Sequence, residues 1–159
     1  MTITIRALTP ADINAVVAFS LRAWAPVFTS FAQVLGPEIY EKIYPDWLTS
    51  QAREVAKVCA AETTWVAIAE DQPVCFIATV LGSEGPGTAE IEMLAVDPEH
   101  QRHGVAATLI DFAVEHLRTA GVSVVAVGTG GDPGHEPARR AYARAGFTPL
   151  PLVRYYKAI

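Results

Sequence analysis

The chain has 159 residues, 51% of them hydrophobic, and a formal net charge of −5. That length is one domain's worth and buries a core without staples, so a single domain over 1–159 is expected and a disordered or fibrous chain is excluded. The acidic balance speaks against a nucleic-acid binder resting on bulk attraction, no apolar run approaches a membrane span, and "MTITIRALTPADI" lacks the pattern of a signal peptide.

"TITIRAL" alternates Ile3 and Ile5 with polar residues, the period of a half-buried strand. Thr9-Pro10-Ala11-Asp12 then starts a helix, with a capping threonine, a proline at the first position and an acid in the first turn. That helix is predicted to run to about Trp24. Residues 24–48 crowd Trp24, Phe28, Phe31, Tyr40, Tyr44 and Trp47 together, punctuated by Pro37 and Pro45. They read as two short helical pieces, the second continuing to about Ala61. "TWVAIAE" and "VCFIATVL" follow as strands joined by "DQP", a hairpin. After a "GSEGPG" loop comes the strand "TAEIEMLAV". Residues 104–119 form an amphipathic helix that ends near Gly121. "VSVVAV" is a buried strand, "GTGGDPGHE" a loop, "PARRAYARA" a helix, and "FTPLPLVRYYKAI" the closing strand or strands. The predicted order is β-α-α-β-β-β-α-β-α-β, an α/β (α+β) mixed sheet with helices on both faces. Two cysteines, Cys59 and Cys75, make no disulfide framework, and four scattered histidines complete no zinc pattern. Reduced thiols in a cytoplasmic protein without a bound metal are expected.

The stretch "VDPEHQRHGVAATLI" places Gln101, Arg102, His103, Gly104 and Ala106 at a helix start. Such a start leaves about four backbone N–H groups unpaired and carries the positive end of the helix dipole, an anion site that phosphate commonly fills. Gly104 lets a bulky anion approach the backbone, Ala106 keeps the next turn small, and Arg102 adds charge. Read without that purpose, the stretch is an ordinary glycine-containing helix start. Other phosphate motifs fit worse: no G-x-x-x-x-G-K-[ST] occurs, and "GTGGDPG" has proline where a dinucleotide fingerprint needs its third glycine.

Gln101-Arg102-His103-Gly104-Val105-Ala106 resembles the Q/R-x-x-G-x-G/A signature of the GNAT superfamily of acetyl-CoA-dependent N-acetyltransferases. "HEPARRAYARAGF" is similar to that family's later N-x-x-A-x-x-x-Y-x-x-x-G-F element, with Ala138, Tyr142, Gly146 and Phe147 in place. The element order matches along nearly the full chain, which implies a mostly antiparallel sheet with a central splayed parallel pair. Ala106 stands at the second glycine position, as the pattern permits, and His135 stands where asparagine is usual.

The resemblance implies that backbone N–H groups from Arg102 through His103, Gly104, Val105, Ala106 and Ala107, with the Thr108 hydroxyl, hold the coenzyme A pyrophosphate. The pantetheine arm would lie between the strand ending at Leu94-Ala95-Val96 and its parallel neighbour. Backbone groups of Leu94 and Val96 would pair with that arm, and the Leu94 N–H would polarise the thioester carbonyl. The attacking amine must shed a proton, since a free alkylamine has a pKa of roughly 10. By strict alternation Glu90 and Glu92 share a face with Leu94 and Val96. Glu90 stands where histone-acetylating members carry a catalytic glutamate, although both acids also suit a solvated strand. Tyr142 holds the family's tyrosine position and would protonate the departing sulfur. Asp132 and His135 could contact cofactor or acceptor, and Arg139 and Arg140 read as a solvated helix face. Trp24, Phe28 and Phe31 are candidates for the acceptor wall or simply for core. The expected function is acetyl transfer to a primary amine of a small molecule, with a homodimer allowed. A protein N-terminal or lysine acetyltransferase and a non-catalytic acyl-CoA-binding module are the alternatives.

Overall fold

The computed structural model describes residues 1–61 and 63–159. Five strands form one sheet in the order β1 (Thr4–Ala7), β2 (Thr63–Ala69), β3 (Gln72–Leu81), β4 (Thr88–Val96) and β5 (Val124–Val127). Successive pairs are antiparallel except β4 and β5, which are parallel. Parallel neighbours need a crossover, and α4 (Val105–Thr119) supplies it. The β2–β3 turn falls on Glu70 and Asp71, both with positive φ (49° and 63°), one step before the expected "DQP". Two left-handed central residues give a hairpin turn whose twist matches its strands.

The sheet separates two cores. On one face Cys75 and Ile77 of β3 meet Leu109, Ile110 and Ala113 of α4. On the other, Phe76 and Ala78 meet Val16 and Phe19 of α1 (Ile13–Leu35) and Val55 and Cys59 of α3 (Trp47–Ala61). β3 is therefore buried from both sides over 74–79. A short 3-10 turn, Pro10–Asp12, leads into α1, and the Thr9 N–H donates to Asp12 Oδ2 at 2.8 Å. Asp12 also receives a two-pronged contact from Arg6 at 2.7 and 2.9 Å, which holds its carboxyl well below the usual carboxylate range.

Three expectations are corrected. The first helix does not stop near Trp24 but runs through Pro26 to Leu35, followed by α2 (Pro37–Ile43) and a separate α3. Burial overrides the proline, because Val27, Phe28 and Ser30 continue the buried face beyond it. Joined in this way, Pro10–Leu35 is long and apolar enough, by length and composition, to cross a membrane. Here Val16, Phe19, Val27 and Phe28 bury its inner face in the protein, so it serves as a core helix. The last correction is the closing strand. After α5 (Glu136–Arg144), residues 147–159 form no strand, and β5 remains the sheet edge. Pro149 and Pro151 lack N–H groups at alternate positions, so one edge of that segment cannot donate to a ladder.

Candidate functional site

The exit from β4 is pinned on both sides. Asp97 accepts the Glu99 N–H at 3.2 Å and Arg22 of α1 at 3.1 Å, and Gln101 Nε2 donates to the Val96 carbonyl at 3.2 Å. Arg102 (φ 64°) and Gly104 (φ 76°) are both left-handed, and they swing the chain into α4. A Cβ on Gly104 would meet nothing within 4 Å, so the space before the helix is open. Residues 101–104, 107 and 108 are exposed, whereas Val105 is buried and anchors the first turn. Helix geometry leaves the N–H groups of Val105, Ala106 and Ala107 without intrahelical acceptors. Thr108 is the first to bond back, to the Gly104 carbonyl at 3.0 Å. Its hydroxyl donates to that same carbonyl at 3.0 Å, so it must rotate before it can serve an anion.

β4 and β5 pair only from Thr88↔Val124 to Ile91↔Val127. Beyond Ile91 the strands are no longer paired, so among the described residues the β5-facing edge of 92–96 has no strand partner. The gap opens toward the α4 start. Leu94 and Val96 are half-buried against the α4-side core, while Ala95 points to the opposite core and is buried.

The expected common face of Glu90, Glu92, Leu94 and Val96 is broken. Ala78 pairs with Met93 but Thr79 pairs with Ile91, so Glu92 is an extra, bulged residue. The bulge puts Ile91 with Leu94 and Val96 on the α4 face. Glu90 consequently shares the other face with Met93 and Ala95. Burial raises the Glu90 carboxyl pKa, and the charges of Glu92 and Glu84 push it the same way. Glu92 is exposed.

Tyr142, near the end of α5, packs on the α4-side core with its ring edge-on to Phe147 at 5.7 Å. Burial, with a smaller push from Cys75, raises its phenol pKa to about 12. A phenol is a protonated donor at neutral pH without any shift, and burial only strengthens its hold on the proton. Cys75 pairs with Val96, which sets the tyrosine beneath the strand that borders the gap. Ala138 is half-buried one turn earlier on the same helix. The two thiols are themselves buried, and burial pushes Cys59 up to about 11 and Cys75 higher still, so neither suits a nucleophile.

The head of α5 contains a cluster that the sequence hid. Asp132 Oδ1 lies 2.5 Å from His135 Nδ1, and Ser30 Oγ donates to Asp132 Oδ2 at 2.6 Å. Ser30 was not anticipated, since 102 residues separate it from Asp132 and a serine inside an apolar helix carries no local signal. Arg139 is not a solvated face residue. It donates to the carbonyls of Gly130 (2.7 Å) and Asp132 (2.6 Å), whereas Arg140 pairs with Glu136 on the exposed side. Phe31 contacts the His135 ring at 5.5 Å and stacks on Tyr44, and Phe28 is buried and stacked on Trp47 at 4.4 Å. Trp24 instead meets Phe76 and joins the opposite core. Of the three candidate wall residues, Phe31 alone touches the His135 side of the site.

A family model described as the acetyltransferase (GNAT) family matches residues 33–147. Similar folds occur in a GNAT-family acetyltransferase from Desulfovibrio desulfuricans (TM-score 0.72, 20% identity, 99% of this chain and 92% of that one). They occur too in the aminoglycoside N-acetyltransferase AAC(6')-Iy bound to the bisubstrate analog CoA-S-monomethyl-acetylneamine (0.65, 18%, 100% and 99%). A third example is the ribosomal-protein-S18-alanine N-acetyltransferase of Escherichia coli (0.67, 20%, 94% and 80%). No curated protein sequence matches the chain.

Proposed function

The chain belongs to the GNAT family of acetyl-CoA-dependent acyltransferases, and from that premise we propose that it transfers acetyl to a primary amine of a small molecule, directly, within a ternary complex. The observation that carries this reading is the parting of β4 from β5 after Ile91, with the open, left-handed entry to α4 at the mouth of the gap. Such a gap accepts an extended arm in place of a strand, and the free N–H groups at the helix start suit the arm's diphosphate. Gln101, Arg102, His103 and Thr108 are the residues that would hold that anion, and Gly104, with open space where a Cβ would stand, would leave room for it.

The chemistry then follows from this chain's own groups. The amine nitrogen attacks the thioester carbonyl, whose oxygen gains charge that the Leu94 N–H is suited to receive. Tyr142, a buried and protonated phenol, gives its proton to the departing sulfur. The net charge of −5 suits a cationic acceptor, and Phe31 with Tyr44 offers it an aromatic wall. The aminoglycoside acetyltransferases of similar fold support a small amine as acceptor. Two buried, unpaired thiols fit a reducing compartment, which supports a cytoplasmic location. The uncovered β5 edge supports a homodimer.

A panel of small amines and of peptides with free N-termini, read by release of free coenzyme A from acetyl-CoA, tests the proposal. Release with small amines is expected. Release with peptides alone would assign a protein acceptor, and binding of acetyl-CoA without release would make the chain a binding module.

A further inference from the structure

The turn that opens α5 is built more tightly than a helix entry requires. An Asp132 side chain on the Gly134 N–H, at 3.1 Å, would be cap enough. Here the same carboxylate also receives Ser30 Oγ at 2.6 Å on Oδ2 and faces His135 Nδ1 at 2.5 Å through Oδ1. Ser30 is 5% exposed, and its oxygen in turn accepts the Gly134 N–H at 2.9 Å. Two glycines make this approach possible. A Cβ on Gly134 would stand 2.6 Å from Ser30 Cβ and 3.0 Å from Val27 Cα, and one on Gly130 would collide with Asp132 and His135. Arg139 locks the loop by binding the carbonyls of Gly130 and Asp132.

The result is one fixed orientation of the imidazole. A carboxylate on Nδ1 keeps the ring proton there and leaves the Nε2 lone pair free to accept another. Among the described residues Nε2 has no hydrogen-bond partner, at a side chain 17% exposed. Burial alone would raise Asp132, but its bonds from Ser30 and His135 hold the carboxyl below its ordinary value, so it stays charged. The charged groups around the ring are Asp132 and Arg139 on its own turn and helix. From α1 it meets the uncharged Ser30 and Phe31; Tyr44, which caps α2, lies behind Phe31, with Tyr156 and the charged Arg154 of the C-terminal segment beside that tyrosine. This loop follows β5 beyond its last pairing with β4, and its histidine packs on Phe31 of the aromatic wall. Glu90 is placed differently. It sits in the closed, paired part of β4, roughly 13 Å of strand before Leu94, and on the other face from it.

Resting on amine acetylation as the function, we propose that His135 is the base that deprotonates the acceptor, with Asp132 and Ser30 as its positioning residues. Nε2 takes one proton from the acceptor ammonium, and the freed lone pair forms the C–N bond at the thioester carbonyl. The C–S bond breaks as Tyr142 protonates the sulfur. The second proton lost by the nitrogen restores Tyr142, and His135 passes its proton to solvent, so the net yield is amide, thiol and one proton.

The test compares His135→Gln and Asp132→Asn with the wild type, on an amine that the wild type acetylates. It reads kcat/KM across pH, acetyl-CoA affinity and melting temperature. His135→Gln is expected to lose about 100-fold or more near neutral pH, the ordinary worth of a general base. That loss should shrink as rising pH deprotonates the amine unaided, with acetyl-CoA affinity unchanged. Asp132→Asn should lose less and displace the acid limb of the profile, which a purely structural role would not do. If either variant melts early, the wild type decides. Nitrogen NMR of His135 should show the Nδ1–H tautomer, and the Nε2–H tautomer overturns the proposal. A loss below threefold overturns it too, as does a pH-independent loss matched by weaker acetyl-CoA binding, which would make His135 a cofactor contact. A wild type that acetylates no amine removes acetyl transfer to amines and this inference together, whereas an active wild type with an unaffected His135→Gln removes this inference alone.

Discussion

Tyr142 holds its proton at neutral pH as any phenol does, and burial, which denies its phenolate solvation, holds that proton more firmly still. Tyr142→Phe removes one oxygen and keeps the ring against Phe147, so stability and acetyl-CoA affinity should hold. A single-turnover rate should fall about 100-fold, and an unchanged rate would leave the tyrosine a packing residue. Glu90→Gln tests the opposite assignment. Its carboxyl is raised by burial but lies on the far face from Leu94, so the rate near pH 7 should change by less than about threefold. A large loss that fades at high pH would return the base role to the strand. The Arg6–Asp12 pair makes a stability prediction with a definite sign. Asp12 is depressed in the folded chain, so its contribution is present above the ordinary carboxylate pKa of about 4 and is lost as pH falls through the folded value. Asp12→Asn should therefore lower the melting temperature at pH 7 by about 2–4 °C, for about 1 kcal/mol in a chain of this size. The deficit should narrow only in strong acid.

Element by element, the sequence was most legible where local chemistry decides the backbone. The α4 entry could be read from "QRHGVA" because a left-handed glycine before an amphipathic run serves a purpose that composition displays. Gly104→Glu should abolish the melting-temperature rise that acetyl-CoA produces, since it sets bulk and negative charge where the anion enters. Gly104→Ala would have room for its methyl but must hold φ near 76°, at a cost of about 1–2 kcal/mol, so part of the rise should survive. Elements decided by distant packing were hidden. "TAEIEMLAV" alternates without interruption, and the bulge at Glu92 comes from the register with β3, which leaves no mark in the strand's own composition. The helix expected to end near Trp24 runs on through Pro26 because Phe28 packs on Trp47 and Tyr44 and Ser30 on Asp132, partners remote in sequence. The Ser30–Asp132–His135 cluster joins two ends of the chain, and only the fold brings them together.

At the scale of the whole molecule, one feature stands unbalanced. β5 is a sheet edge, Val124 on it is 55% exposed, and the tail leaves Leu150, Leu152, Val153 and Tyr155 in solvent. Open edges and apolar tails of this kind pair with another chain, and a second copy offers both complements at once. Light scattering should give the mass of a dimer for the full chain and of a monomer after removal of residues 148–159. A monomeric full chain would reject that assembly while leaving the site untouched. The tail contributes no strand, so the shortened chain should stay folded. Acetyl transfer through the gap between β4 and β5 is the step on which every other assignment at the site depends. The most direct measurement incubates the chain with acetyl-CoA carrying an isotopically labelled acetyl group and a small primary amine, with mass spectrometry of the amine as readout. Labelled amide from the wild type, and none from Gly104→Glu with its fold intact, is the expected result; unlabelled amine from a wild type that binds acetyl-CoA, or equal labelling by both proteins, would contradict it.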